Sequence, residues 1–418
     1  MPAADTFVIA GGGLAGAKAA EALREQGFDG RIVLACEEDI RPYERPPLSK
    51  DYLQGKAGRD TIFVHPPDWY DTNRLELLPG TAVTGIDRGR CEVTLSDGGH
   101  LPYGKLVLAT GSVPRRLPLS GADAAKGGGE AGGVLYLRRV GDSDRIRDTF
   151  TTASRVLIIG AGWIGLEVAA AARQAGVEVT ILGAADLPLL HVLGPQVAPV
   201  FAGLHREHGV DLRLGARVAE ITTSGQKATG ARLADGTRIG ADAVIVGIGA
   251  APQTRLAEEA GLDVRDGVVT DASLRTSDPA IYAAGDIANA FHPLLGRHIR
   301  VEHWANALHQ PKTAAAAMLG RHAAYDRVPY FYTDQYDLGM EYAGYAGPGG
   351  YDEVIFRGDV GKREFIAFWL SGGRVVAGMN VNIWDVNDAI GDLIRSGQPA
   401  DPARLADPAV PLDEVVGR

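Results

Sequence analysis

One local pattern occurs twice in this chain, and it leaves few folds open. Residues Thr6–Ala10 form a short β-branched and aromatic run, followed by Gly11-Gly12-Gly13-Leu14-Ala15-Gly16. A helical stretch, 17–26, ends at Gly27, and a second strand, Arg31–Ala35, leads to the acidic pair Glu37 and Glu38. The scheme recurs with strand Arg155–Ile159, turn Gly160-Ala161-Gly162-Trp163-Ile164-Gly165, helix 166–175 and strand 177–182. Each copy reads strand, GxGxxG, helix, strand. The first glycine permits a tight turn, the second lets backbone amides approach a pyrophosphate, and the third lets helix and strand pack closely. The helix N-terminus then offers unpaired amides and the positive end of its dipole to phosphate. A single GxGxxG is weak evidence, but two in strand–turn–helix context predict two dinucleotide-binding domains.

Other punctuation agrees. The apolar strand 106–109 ends at Thr110-Gly111, and Ala243–Val246 ends at Gly247-Ile248-Gly249. Both resemble strand ends that close a nucleotide crevice. The glycine-rich stretch 126–133 reads as an interdomain linker. From 328 onward aromatics crowd together, including Tyr330, Phe331, Tyr332, Tyr336 and Tyr342. Alternating runs 364–370 and 374–380 and a helix over 386–396 follow. The expected architecture is α/β, with two Rossmann-type domains and a C-terminal α+β domain. The first dinucleotide-binding domain is 1–118 and 247–327, the second, inserted within it, 119–246, and the last domain 328–418.

Composition excludes several functions. The net charge is −10, from 42 Lys plus Arg against 52 Asp plus Glu, which argues against nucleic-acid binding. No apolar run approaches the ~20 residues of a membrane span. Cys36 and Cys91 are the only cysteines. Two cannot bind a four-thiolate iron–sulfur cluster or build a disulfide framework, so the chain reads as cytoplasmic. No histidine spacing suggests a metal site.

Several runs resemble one family. They are the first motif, the run 41–50 (Arg-Pro-Tyr-Glu-Arg-Pro-Pro-Leu-Ser-Lys), Leu108-Ala109-Thr110-Gly111, Tyr136-Leu137-Arg138 and Ile281-Tyr282-Ala283-Ala284-Gly285-Asp286. They are similar to the FAD-dependent NAD(P)H:ferredoxin reductases of the putidaredoxin-reductase and dioxygenase-reductase type, with the glutathione-reductase fold. The resemblance implies that Gly11, Gly13, Ala15 and Gly16 bind FAD, and that Gly160, Gly162, Ile164 and Gly165 bind a nicotinamide dinucleotide. It puts Glu37, beside Glu38, at the adenosine ribose of FAD and Val83 at the adenine. Thr110, Gly111, Arg138, Gly249, Gly285 and Asp286 become further cofactor contacts. Arg45 and Lys50 line the flavin, Lys50 near its hydride-accepting nitrogen, with Trp304 by the ring and Glu167 near the nicotinamide.

The chemistry points the same way. A hydride carries two electrons, an iron–sulfur protein takes one at a time, and flavin handles both. With no cluster of its own, the chain must pass electrons to a separate ferredoxin, which would serve a terminal oxygenase. The run 46–50 has no cysteine, so a disulfide reductase or a cysteine peroxidase is disfavoured. The alternatives are an NADH oxidase, a rubredoxin- or nitrite-reductase-type flavoenzyme, or a flavin-binding signalling protein resembling apoptosis-inducing factor.

Two expectations concern departures and charge. Gly183 stands where NADH-preferring relatives carry Glu, and no Arg or Lys follows through His191 to clamp an NADPH phosphate. NADH is the expected donor, with Asp186 as the substitute acid, and NADPH stays open. The segment 292–322 holds Arg297, Arg300, Lys312 and Arg321, with Glu302 its sole acid. It is therefore the expected docking face for an acidic ferredoxin. His205 and His208, at i and i+3, are expected on a helix surface.

Overall fold

A computed structural model describes residues 5–119, 132–347 and 349–416, and these form two compact units. The first contains 1–45, 59–113 and 251–329; the second contains 46–58, 114–250 and 330–418. Most of the 126–133 linker expectation lies outside the described residues.

The first unit is built on a five-stranded parallel sheet. Its order is Ile281–Ala283, Lys105–Leu108, Thr6–Ala10, Arg31–Ala35, Leu75–Leu78. Thr6–Ala10 is buried along its whole length, as expected for a parallel strand covered on both faces. Its motif feeds helix Leu14–Glu25, which packs with Trp304–Met318 through Ala15, Ala19, Ala314 and Ala315.

The second unit repeats this plan. Its parallel sheet runs Val134–Tyr136, Ala243–Val246, Arg155–Ile159, Glu178–Leu182, Asp211–Arg213. The segment after 330 adds a five-stranded antiparallel sheet, in the order Tyr330–Gln335, Leu338–Gly344, Arg374–Val381, Glu364–Ser371, Glu353–Asp359. Helix Asn387–Ser396 packs on it through Ile390. One core joins the two sheets, running from Ile158 and Leu166 through Phe201 to Met340, Phe365 and Trp369. Helix Leu190–Glu207 lies in this core and kinks at Gly194, ahead of Pro195. The kink leaves the Leu193 carbonyl to accept from the buried Trp369 indole at 3.2 Å.

The two motif helices start three residues earlier than the sequence reading put them, at Leu14 and Trp163. The reason is steric and the same in both. A side chain on Gly11 would overlap the Ala109 carbonyl, and one on Gly160 the Gly247 carbonyl. A side chain on Gly16 would overlap the Gly11 carbonyl, and one on Gly165 the Gly160 carbonyl. The third glycine is thus in the first helical turn, pressed on the strand end, rather than in the turn before it.

This contact predicts unequal effects within the second motif. Gly165→Ala should destabilise the protein by about 2 kcal/mol or more, because backbone must shift to admit the methyl group. Gly162→Ala, whose Cβ meets nothing within 4 Å, should leave stability nearly unchanged. Thermal unfolding without added nucleotide measures both.

Candidate functional site

In the first unit the motif forms a cradle open to an anion. Gly13 caps helix Leu14–Glu25 without any side-chain bond, and the first turn contains no acid. The first bond from this end within the helix is Ala17 N–H to Gly13 O at 3.0 Å, so the preceding amides have no helical partner. A Cβ on Gly13 would meet nothing within 4 Å, so there is room above these amides. This donor set fits the pyrophosphate of a dinucleotide.

Beyond strand Arg31–Ala35 the two acids separate. Glu38 is engaged by the Tyr43 hydroxyl at 2.6 Å and by Arg45 at 3.1 Å, while Glu37 is exposed. The Arg45 guanidinium is therefore tied to Glu38. Thr110 is held by Gln253, whose amide donates to the Thr110 carbonyl at 2.9 Å and whose backbone N–H donates to Gly111 O. Ser112 Oγ donates to Asp286 Oδ2 at 2.7 Å, and Gly285 N–H donates to the buried Gln310 at 2.8 Å. Val83 is buried at the start of strand Val83–Asp87. Trp304 begins helix Trp304–Met318 and donates from its indole to Glu44 at 3.1 Å. Gln253 and Gln310 escaped sequence reading, because a glutamine carries no motif of its own.

In the second unit Gly162 caps helix Trp163–Gln174 in the same uncapped way. Ile164 is 42% exposed at this open end, and Gly249 adopts positive φ at the end of the neighbouring turn. Arg138 is half-buried just ahead of helix Val140–Thr152. Glu167 lies one turn into the motif helix and is only 4% exposed. Lys50 Nζ donates to its Oε1 at 2.7 Å and Thr333 Oγ1 to the same oxygen at 2.6 Å, while Ser49 Oγ donates to Oε2. The Lys50 ammonium also sits 5.5 Å from the centre of the Tyr332 ring. The run bearing Ser49 and Lys50 is anchored by Ser143 Oγ to Leu48 O at 2.8 Å and by Tyr52 to Asp144 at 2.7 Å. Lys50 and Glu167 are therefore together, with Ser49 and Thr333 as partners that the sequence did not announce.

The doubtful glycine has a packing role. A Cβ on Gly183 would come within 2.8 Å of Leu214 and 3.1 Å of Ala161. Its amide donates to Arg213 O, and its carbonyl accepts from Ala216. An acid at 183 would have to displace Leu214. Asp186 and His191 are both exposed nearby in sequence.

Two sequence expectations change. Arg300 is not an open basic group, since it pairs with Asp266 at 3.1 Å and with Glu302, and its side chain is 10% exposed. Arg297 and Lys312 are exposed. His205 is not on a surface. It is fully buried, because helix Leu190–Glu207 lies between two sheets in one core, and its Nε2 meets Gln335 Oε1 at 2.8 Å.

Cys36 and Cys91 are free thiols. Burial pushes the Cys36 thiol up to about 12, which removes it as a nucleophile. No group of acids, histidines and cysteines able to hold a metal occurs among the described residues. No described helix is long and apolar enough to cross a membrane.

The paired motif cradles and parallel sheets define a two-dinucleotide oxidoreductase. The chain belongs to the pyridine nucleotide-disulphide oxidoreductase family, whose profile matches residues 5–311, and a reductase C-terminal profile matches 330–416. It is 41% identical over 418 residues to putidaredoxin reductase of Pseudomonas putida, covering 100% of this chain and 98% of that protein. It is 42% identical over 415 residues to the ferredoxin–NAD(+) reductase component of the anthranilate 1,2-dioxygenase system of Burkholderia cepacia, covering 98% of each. Among solved structures it matches the covalent putidaredoxin reductase–putidaredoxin complex with a TM-score of 0.93 and 40% identity, covering 98% of this chain and 97% of that one.

Burial holds the His205 imidazole neutral, lowering it from the usual 6.5 to about 4. The unfolded chain therefore takes up this proton first as pH falls, and stability is lost between about 6.5 and about 4. His205→Gln removes that titration. The stability advantage of the natural protein over this variant should shrink across that window in urea unfolding at pH 7, 6 and 5. A constant gap would contradict the neutral, buried imidazole.

Proposed function

We propose that this chain is a flavoprotein ferredoxin reductase, taking a hydride from NADH and passing single electrons to a ferredoxin that serves an oxygenase. The observation that carries this is two open nucleotide cradles in one chain, with no thiol pair in the run 46–50. FAD, when bound, supplies the conversion of a hydride into two single electrons. In this reading the first unit holds FAD by the amides after Gly11 and Gly13, by Glu37 at the ribose and by Asp286 beside the ribityl chain. The second unit holds the nicotinamide dinucleotide at Gly160, Gly162 and Gly165. Lys50 and Glu167 tune the flavin and position the hydride donor. The domain limits 1–118 with 247–327, 119–246 and 328–418 remain part of the proposal. So does a cytoplasmic location, which two free cysteines suit.

For docking, Arg297 and Lys312 are the exposed basic residues of the segment, whereas the Arg300 side chain is largely buried against Asp266 and Glu302. NADH-dependent cytochrome c reduction should require an added ferredoxin. Arg297→Glu should raise the KM for ferredoxin about threefold or more at low salt and leave reduction of a small dye unchanged. Rapid steady oxygen consumption with no carrier would instead favour an oxidase.

The donor is tested separately. With Gly183 packed under Leu214 and no Arg or Lys from 183 to 191, NADH should be preferred modestly. The measurement is kcat/KM for each nucleotide, and an advantage of about tenfold or more for NADPH would overturn the preference.

A further inference from the structure

Glu167 ends a longer row of buried polar side chains. Thr333 and Gln335 lie two residues apart on strand Tyr330–Gln335 and are 0% and 1% exposed. Gln335 Nε2 donates to Thr333 Oγ1 at 3.2 Å, and Gln335 Oε1 faces His205 Nε2 at 2.8 Å. On the other side of the imidazole, Nδ1 is 3.5 Å from the Tyr336 hydroxyl. The row thus joins three distant stretches of sequence through the core of the second unit.

Its hydrogen positions follow from the carboxylate outward. The Thr333 hydroxyl, 2.6 Å from a Glu167 oxygen, must donate to it. Thr333 Oγ1 then accepts from Gln335, so Gln335 turns its NH2 group inward and its oxygen toward His205. The imidazole must present Nε2–H there, which leaves Nδ1 to accept from Tyr336. Every donor points toward Glu167. Aligned bonds of this kind reinforce one another at low dielectric. An amide in the middle makes the row a poor proton conductor, so its effect on the carboxylate is orientation and charge balance.

A structural role alone accounts poorly for this row. Thr333, Gln335 and His205 are all buried, and buried polar groups cost stability unless fully bonded. The row instead gives Glu167 Oε1 a second donor beside Lys50. With Ser49 on Oε2, the carboxylate cannot rotate, and the Lys50 ammonium is held at one place.

We propose that Thr333, Gln335 and His205 are positioning residues that fix the Glu167–Lys50 pair for hydride transfer from the nicotinamide cofactor. This rests on the reading of that pair as the hydride-transfer pair given above. The C-terminal sheet, on this view, supplies part of the reductase chemistry as well as packing.

The test uses flavin-loaded protein and four variants, Gln335→Met among them. Thr333→Val keeps the shape and loses the donor, Thr333→Ser keeps the donor, and Glu167→Gln tests the pair itself. Stopped-flow reduction by NADH gives the limiting rate and the apparent Kd, and a redox titration gives the flavin midpoint potential. We expect Thr333→Val to lower the limiting rate about tenfold, in line with losing a hydrogen bond to a charged group. The apparent Kd should stay within about twofold, because nucleotide binding is not what the row serves. The potential should move negative as the ammonium loosens, and Thr333→Ser should restore rate and potential. Should Thr333→Val fail to retain flavin, Gln335→Met carries the same comparison. A normal rate and potential in Glu167→Gln would overturn the pair and this proposal together. A slowed Glu167→Gln beside a normal Thr333→Val and Gln335→Met would overturn the positioning role alone.

Discussion

A pair of backbone carbonyls controls each nucleotide cradle. In the first motif the Ala109 carbonyl fills the space beside Gly11, and the Gly11 carbonyl fills the space beside Gly16. In the second, Gly247 and Gly160 do the same to Gly160 and Gly165. These contacts press the helix onto the ends of two adjacent parallel strands. They aim its free amides past the middle glycine, where a Cβ would find open space. The sheet order on either side follows, since the strand carrying each motif must be central and its neighbours parallel. The cofactor surface is therefore made by backbone, and the side chains around it are free to specialise.

Glu167 shows what that freedom is used for. It lies on the helix that the second cradle starts, so the turn that would hold a dinucleotide also fixes this carboxylate. Its partners come from the run 46–50 and from strand Tyr330–Gln335, and all three belong to one compact unit. Helix Leu190–Glu207 makes the join firm. It breaks at Gly194, passes the orphaned Leu193 carbonyl to Trp369, and brings His205 against Gln335. A buried carboxylate of this kind is costly unless several donors converge on it. That is why Ser49, Lys50 and Thr333 have to be held so closely.

Legibility in the sequence tracked the range of the interactions. The cradles were readable because glycine spacing is a local requirement; the C-terminal strands 364–370 and 374–380, expected as alternating, are instead buried on both faces. Helix starts were off by three residues because the third glycine's contact with the first is a through-space constraint. Lys50 and Glu167 came from family resemblance, but nothing local indicates that they touch. His205 reads as an ordinary helix-surface histidine, because its burial depends on a sheet more than a hundred residues further on. Arg300 reads as free charge for a related reason, since Asp266 lies far upstream. Gly183 looked like a missing acid; its neighbour Leu214 shows it to be a packing position.

The absence of a thiol at the run 46–50 has a positive counterpart. At 49 a serine hydroxyl donates to Glu167, and at 50 an ammonium does so. A cysteine in either place would be a weak donor to that carboxylate and would leave it short of partners. Cys36, the buried thiol, is pushed up to about 12 and sits against Gly12, so it cannot take over the redox role. The segment that could have carried reactive sulfur in this fold is thus committed to holding a charge pair. At this place in the second unit, side chains that donate to Glu167 stand where a thiol would have left the carboxylate short of donors.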